Sequence, residues 1–284
     1  MSRIFEALKQ SGAAEILDDA AKAQNASDLI QQVPVESNAI EDGPKFSVAS
    51  TAQSRLVAVS DEHSLAAEKV RVLATKLRHI AARHPLKRLL VTSSMKGEGK
   101  SIISANLAIT LAKHSQARVL LLDGDLRQPT LDSKLGCTVS KSLADWWNGE
   151  ASVQQLLHKE THLPLWFAPA GQFTSQPLEV LQSSRVTDLL NRFNNMFDWI
   201  IIDSPPMIPL ADSRVWASAA DGIMVVVREK FTQVQLLNQA IEAIEPKKLL
   251  GVVMNDTSIS ESRYFPEYYQ YASKPAEKQA AASV

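Results

Sequence analysis

A single cysteine, Cys137, stands in this chain, so no disulfide within it and no multi-cysteine metal site can form. That scarcity fits a reducing compartment. Charge of one sign is scarce as well. The 30 lysines and arginines meet 31 aspartates and glutamates, and the formal net charge of −1 gives no global pull toward nucleic acid or acidic lipid. The one local basic cluster, Arg78–His79 through Arg83–His84 to Lys87–Arg88, reads as a solvated helix face entering the first core strand. Long apolar runs are missing: no window approaches the ~20 apolar residues that span a bilayer. The first segment, MSRIFEALKQSGAAEILDD, has no apolar run of signal-peptide length. These absences predict a cytoplasmic chain that reaches a membrane only through a partner.

What is present suits one α/β core with residues left for tails: 284 residues, 45% hydrophobic and 21% charged. Residues 1–60 read as a short helix, with Ile4, Phe5 and Leu8 on one face, followed by a mostly disordered or extended polar linker. From Ser64 the pattern firms into a helix over 64–82, with Leu65, Val70, Leu73 and Leu77 among its apolar positions. Short apolar strands follow at Arg88–Thr92, Arg118–Asp123, Leu165–Ala168, Trp199–Asp203, Gly222–Val227 and Leu249–Met254. Helical stretches separate most of them. This alternation predicts a mainly parallel sheet with helices on both faces, spanning 61–258, and a flexible tail over 259–284.

The strand RLLVTSS runs into Ser94-Met-Lys-Gly-Glu-Gly-Lys-Ser101 and then into the helical IISANLAITLAK. That is the strand–loop–helix setting of a Walker A phosphate loop. Gly97 and Gly99 permit close backbone approach, and the helix N-terminus adds favourable potential for anions. Lys100 supplies a point charge at the β- and γ-phosphates, and the Ser101 hydroxyl is a Mg²⁺ ligand. Ser94 departs from the pattern GxxxxGK[ST], which begins with glycine. Two further strands end in acids: VLLLD runs to Asp123 and Asp125, and WIIID ends at Asp203. Ligands of open α/β sheets sit at the carboxyl ends of strands, so these acids and the loop converge on one crevice. Asp203 takes the Walker B position.

These residues resemble the bacterial tyrosine kinases that accompany capsule and exopolysaccharide export, within the P-loop branch that also holds partition and septum-positioning ATPases. SSMKGEGKS is similar to their Walker A, LLLDGDLRQP to their Walker A′ and IIIDSPP to their Walker B. The likeness runs from about Ser64 to Tyr271. It implies an ATP- and Mg²⁺-dependent protein-tyrosine kinase. The loop residues Lys96, Gly97, Glu98, Gly99, Lys100, Ser101 and Ile102 would hold ATP, with Arg228 and Asn255 at the base. Ser101, Asp125 and Asp203 would hold the metal. One of Asp123 and Asp125 would orient or deprotonate the attacking hydroxyl, and the assignment between them stays open.

The four tyrosines of the chain, Tyr264, Tyr268, Tyr269 and Tyr271, stand together outside the predicted core. In the resembled family such a cluster is the phosphoacceptor tail of a neighbouring copy. The resemblance also implies a homo-oligomer, a membrane-embedded polysaccharide co-polymerase as activator and a cognate tyrosine phosphatase. It implies no nucleic-acid partner. The family's oligomerisation motif ExxRxxR appears as Glu68-Lys-Val-Arg71-Val-Leu-Ala74, without its last arginine. The competing readings are a non-kinase ATPase switch and an ATP-binding scaffold. The switch places a signature lysine at position 95, where this chain has Met95.

Overall fold

The computed structural model describes residues 40–49, 54–115, 117–173, 176–209 and 211–257. The chain divides into two units, Met1–Glu41 and Asp42–Val284, and every strand and helix named below lies in the second. Ile4, Phe5 and Leu8 lie outside the described residues, as do the four tyrosines.

Eight described strands form one sheet: β1 (Lys45–Phe46), β2 (Arg88–Ser93), β3 (Val119–Asp123), β4 (His158–Glu160), β5 (Leu165–Ala168), β6 (Trp199–Asp203), β7 (Gly222–Arg228) and β8 (Leu249–Asn255). Their order is β1-β4-β5-β3-β6-β2-β7-β8, and only the β4–β5 pair is antiparallel. Burial explains the order. VLLLD and WIIID are buried at every position and take the middle of the sheet, where both faces are covered. LLGVVMN in β8 leaves Val252 and Met254 exposed and takes an edge. The six strands expected from the sequence form, with ends shifted by one residue or none.

The helix Leu65–Ala81 starts where the Ser64 hydroxyl accepts from the Ala67 N–H at 3.2 Å. Glu68 lies in its first turn and Arg78 and His79 in its last, each of the sign that the helix dipole favours. The helix Lys100–Ser115 is different. It is buried without a break from Ser104 to Ala112, because the sheet and the Leu65–Ala81 helix cover it together. A helix so enclosed needs no polar stripe.

Two strands are absent from the sequence reading. Phe46 of β1 is buried, with its ring centroid 6.1 Å from that of Phe167, and β1 pairs with β4 in parallel. Strands of two or three residues are too short to display a period. Residues 55–58 are likewise held to the core. The Asn106 side chain accepts from the Ala58 N–H and donates to the Arg55 carbonyl, both at 3.0 Å, and Lys113 donates to the Ala58 carbonyl at 2.8 Å. These residues, read from sequence as linker, are part of the same fold. The basic cluster also differs at its end. Arg88 donates to Asn194 at 2.9 Å and Asn191 at 2.8 Å, tying β2 to the helix Ser184–Met196. Among the described residues no helix is long and apolar enough to cross a membrane.

Removing a buried ring at the sheet edge measures whether β1 belongs to the cooperative unit. Phe46→Ala is expected to cost about 3 kcal/mol, read as a lower urea midpoint with an unchanged slope.

Candidate active site

The loop after β2 is shaped by its two glycines. Gly97 and Gly99 sit at φ +92° and +94°, in the left-handed region. A Cβ on Gly99 would collide with the Asn255 amide nitrogen, and one on Gly97 would stand 3.6 Å from the Phe231 ring. The helix begins at Lys100, so the backbone of Gly99, Lys100 and Ser101 forms its N-terminal end, with half-buried Ile102 in the first turn. The Lys100 ammonium stands 3.5 Å from Asp125 Oδ2. Lys96 donates to Gln128 at 2.5 Å, so the loop also touches the segment after β3. Glu98 is fully buried. Its carboxylate accepts from the Ser94 hydroxyl at 2.9 Å, from the Met95 N–H at 2.8 Å and from the Thr232 hydroxyl.

The three acids converge as the sheet geometry requires. Asp123 and Asp203 are register partners on β3 and β6, and Asp203 is level with Val91 on β2. Asp123 is 1% exposed. It accepts backbone N–H groups from Asp125 at 3.1 Å, Thr130 at 3.3 Å and Leu131 at 3.2 Å. Burial, followed by the Asp203 charge, pushes its carboxyl well above the usual range. Burial raises Asp203 too, against the Lys100 charge and the nearby serine hydroxyls. Gly124 lets β3 and β6 approach at this point. Its N–H donates to the Asp203 carbonyl at 2.7 Å, and a Cβ there would lie 2.8 Å from that oxygen.

Asp203 Oδ1 accepts from Ser104 at 3.2 Å, whereas Oδ2 is buried with no hydrogen-bond partner among the described residues. An orphaned carboxylate oxygen is costly unless something fills its lone pairs. With the Ser101 hydroxyl and Asp125 alongside, the donor set is all oxygen, which fits Mg²⁺. Such a cation would also offset the repulsion among the three acids.

Arg228 and Asn255 are register partners at the ends of β7 and β8, but both are engaged inside the chain. Asn255 donates to the Glu98 carbonyl at 3.0 Å. Arg228 pairs with Asp256 at 2.6 Å and lies 5.4 Å from the Phe231 ring centroid. In the helix Leu65–Ala81, Arg71 pairs with Glu68 and Ala74 is buried. The sequence reading missed Phe231, Thr232 and the partners of Glu98. The departure at Ser94, four residues before an acid, is the one signal that could have pointed to them. It also missed Arg127, which clamps the buried Asp212 at 2.5 Å and so fixes the segment after β3 to the helix Ala211–Ala219. Gly99→Ala combines a collision with a left-handed backbone. It is expected to weaken Mg-ADP binding at least about tenfold by titration calorimetry while the sheet stays folded by circular dichroism.

Comparison with known proteins assigns the chain to a family. The AAA domain family model matches residues 87–250, more than half of the chain. The tyrosine-protein kinase YwqD of Bacillus subtilis is 29% identical over 227 residues, covering 79% of this chain and 94% of its own. The tyrosine-protein kinase CpsD of Streptococcus agalactiae is 32% identical over 182 residues, covering 63% and 79%. The succinoglycan biosynthesis transport protein ExoP of Rhizobium meliloti is 29% identical over 237 residues, and the chain spans only 28% of its length. Among solved structures, the BceF tyrosine kinase domain superposes with a TM-score of 0.62 at 26% identity, covering 72% of this chain and 84% of that one. With the family model over more than half of its length and a tyrosine-protein kinase 32% identical and covered to 79%, the chain belongs to the AAA domain family as a bacterial tyrosine-protein kinase.

Proposed function

We propose that this chain is a Mg-ATP-dependent autokinase that phosphorylates Tyr264, Tyr268, Tyr269 and Tyr271 in a neighbouring copy, and so regulates exopolysaccharide or capsule synthesis and export. The observation that carries this reading is that Lys100 stands beside Asp125, with Asp123 and Asp203 level at the same end of the sheet, in a chain whose tyrosines all follow its last described strand.

Phosphoryl transfer asks mainly for positioning and charge stabilisation. Bound Mg-ATP supplies the phosphoryl group and the cation that neutralises its charge. Backbone N–H groups from Gly97 to Ser101 bind the phosphates, with the potential of the helix N-terminus behind them. Lys100 holds the β- and γ-phosphates and is itself oriented by Asp125, 3.5 Å away. Ser101, Asp203 and Asp125 would hold the metal, and Arg228 and Asn255 would supply the base-recognition side of the site. The Asp123–Asp125 pair orients the tyrosine hydroxyl and takes its proton as the new oxygen–phosphorus bond forms and the bond to ADP breaks.

Each phosphotyrosine adds about −1.5 to −2 charge, so four add roughly −6 to −8. Against a formal net charge of −1, that repulsion disperses a homo-oligomer. The match of this chain to a fraction of a longer transport protein supports a membrane-embedded polysaccharide co-polymerase as its activator. That partner would recruit a cytoplasmic kinase to the inner face of the plasma membrane. A tyrosine phosphatase resets the tail. Met95, uncharged where an ATPase switch of the partition type carries its signature lysine, speaks against that alternative.

Phosphosite mapping of protein recovered from its own cells tests the proposal. Phosphate is expected on the tail tyrosines of the wild type and on none of them in Lys100→Ala. Unmodified tyrosines in both would leave a nucleotide-binding switch or scaffold. Light scattering before and after phosphorylation is expected to show a smaller particle afterwards, and an unchanged particle would refute dispersal by charge.

A further inference from the structure

Glu98 is a buried carboxylate inside the phosphate loop, and no step of the transfer described above uses it. A buried acid is tolerated only when its lone pairs are filled. Two of its donors, the Ser94 hydroxyl and the Met95 N–H, come from the same loop. The third comes from across the site. Thr232, four residues beyond the end of β7, accepts the Arg228 N–H at 2.8 Å, which leaves its own hydroxyl hydrogen for Glu98. Asn255, at the end of β8, grips the backbone carbonyl of the same glutamate at 3.0 Å. The Phe231 ring lies against Gly97 between these two attachments. The turn that presents them is tight: the N–H groups of Phe231 and Thr232 both donate to the Arg228 carbonyl, and Lys230 sits at φ +59°. The loop is therefore fastened through one glutamate to the β7–β8 edge that carries Arg228 and Asn255.

This arrangement gives Ser94 a purpose. A glycine at 94 would match the usual loop pattern, yet it would remove the hydroxyl that Glu98 accepts.

We propose that Ser94, Glu98 and Thr232 are positioning residues, a hydrogen-bonded clasp that presets the phosphate loop and couples it to the edge where the base binds. None of the three side chains needs to touch the nucleotide. The proposal rests on the nucleotide-binding reading of the loop, so the test reads binding directly rather than kinase activity.

Equilibrium titration of the full chain with Mg-ADP, paired with melting of the ligand-free protein, separates the possibilities. Thr232→Val keeps the shape and removes the donor, and it is expected to raise the Kd about tenfold. Thr232→Ser restores the hydroxyl and is expected to return the Kd to within about twofold. Ser94→Gly is expected to raise the Kd about fivefold, although it recreates the common loop pattern. The double variant Ser94→Gly/Thr232→Val is expected to lose less than the product of the two single effects, because both act through one carboxylate. Wild-type affinity in Thr232→Val, or tighter binding by Ser94→Gly, would overturn the clasp. So would lowered melting temperatures with unchanged affinity, since the contacts would then serve stability alone. A wild-type chain that binds no Mg-ADP would instead remove the nucleotide reading beneath the proposal.

Discussion

Two carboxylates, Asp123 and Asp203, stand opposite each other on adjacent strands, buried to within 1% of full coverage. Like charges so placed repel strongly, since little water screens them. The surroundings answer that repulsion group by group. Three backbone N–H groups converge on Asp123, the Lys100 charge bears on Asp203, and Asp203 Oδ2 has no hydrogen-bond partner among the described residues. An all-oxygen set of this kind suits a hard divalent cation.

Holding these acids level requires the sheet to be parallel and tightly packed at its centre. β3 and β6 end level at Asp123 and Asp203, and β2 runs two residues past Val91 at that level, so the phosphate loop after β2 and the acids of β3 and β6 lie at one end of the sheet. A Cβ at Gly124 would lie 2.8 Å from the Asp203 carbonyl, and the Trp216 indole N–H donates to the Gly124 carbonyl at 2.9 Å. Arg127 extends the bracing outward by clamping Asp212. The site is thus carried by strand ends, with loops fastened to it by buried polar contacts. Precise positioning of this kind is what phosphoryl transfer demands.

Much of the fold was legible in the residues. β3 and β6 announced themselves as unbroken apolar runs ending in acids, and the 64–82 helix differs from Leu65–Ala81 because Ser64 and Ala82 act as its caps. The loop glycines signalled their left-handed backbone. β1 and β4 were illegible, because two or three residues carry no period and Phe46 is drawn inward by Phe167 rather than by its neighbours in the chain. Arg228 and Asn255 follow directly on the two last expected strands and stand at their ends as register partners. Their present partners, Asp256 and the Glu98 carbonyl, come from folding geometry.

The sequence by itself determined which groups are available and which strand ends they occupy, because buried parallel strands and phosphate loops impose short-range patterns of apolar, glycine and acidic residues. Only the tertiary structure decided the pairings across long separations: Glu98 with Thr232, Arg127 with Asp212, and Asn106 with the 55–58 segment. The reason is physical. A hydrogen bond between residues far apart in the chain leaves no local periodicity, and its partner is selected by whichever donor the folded core brings within reach.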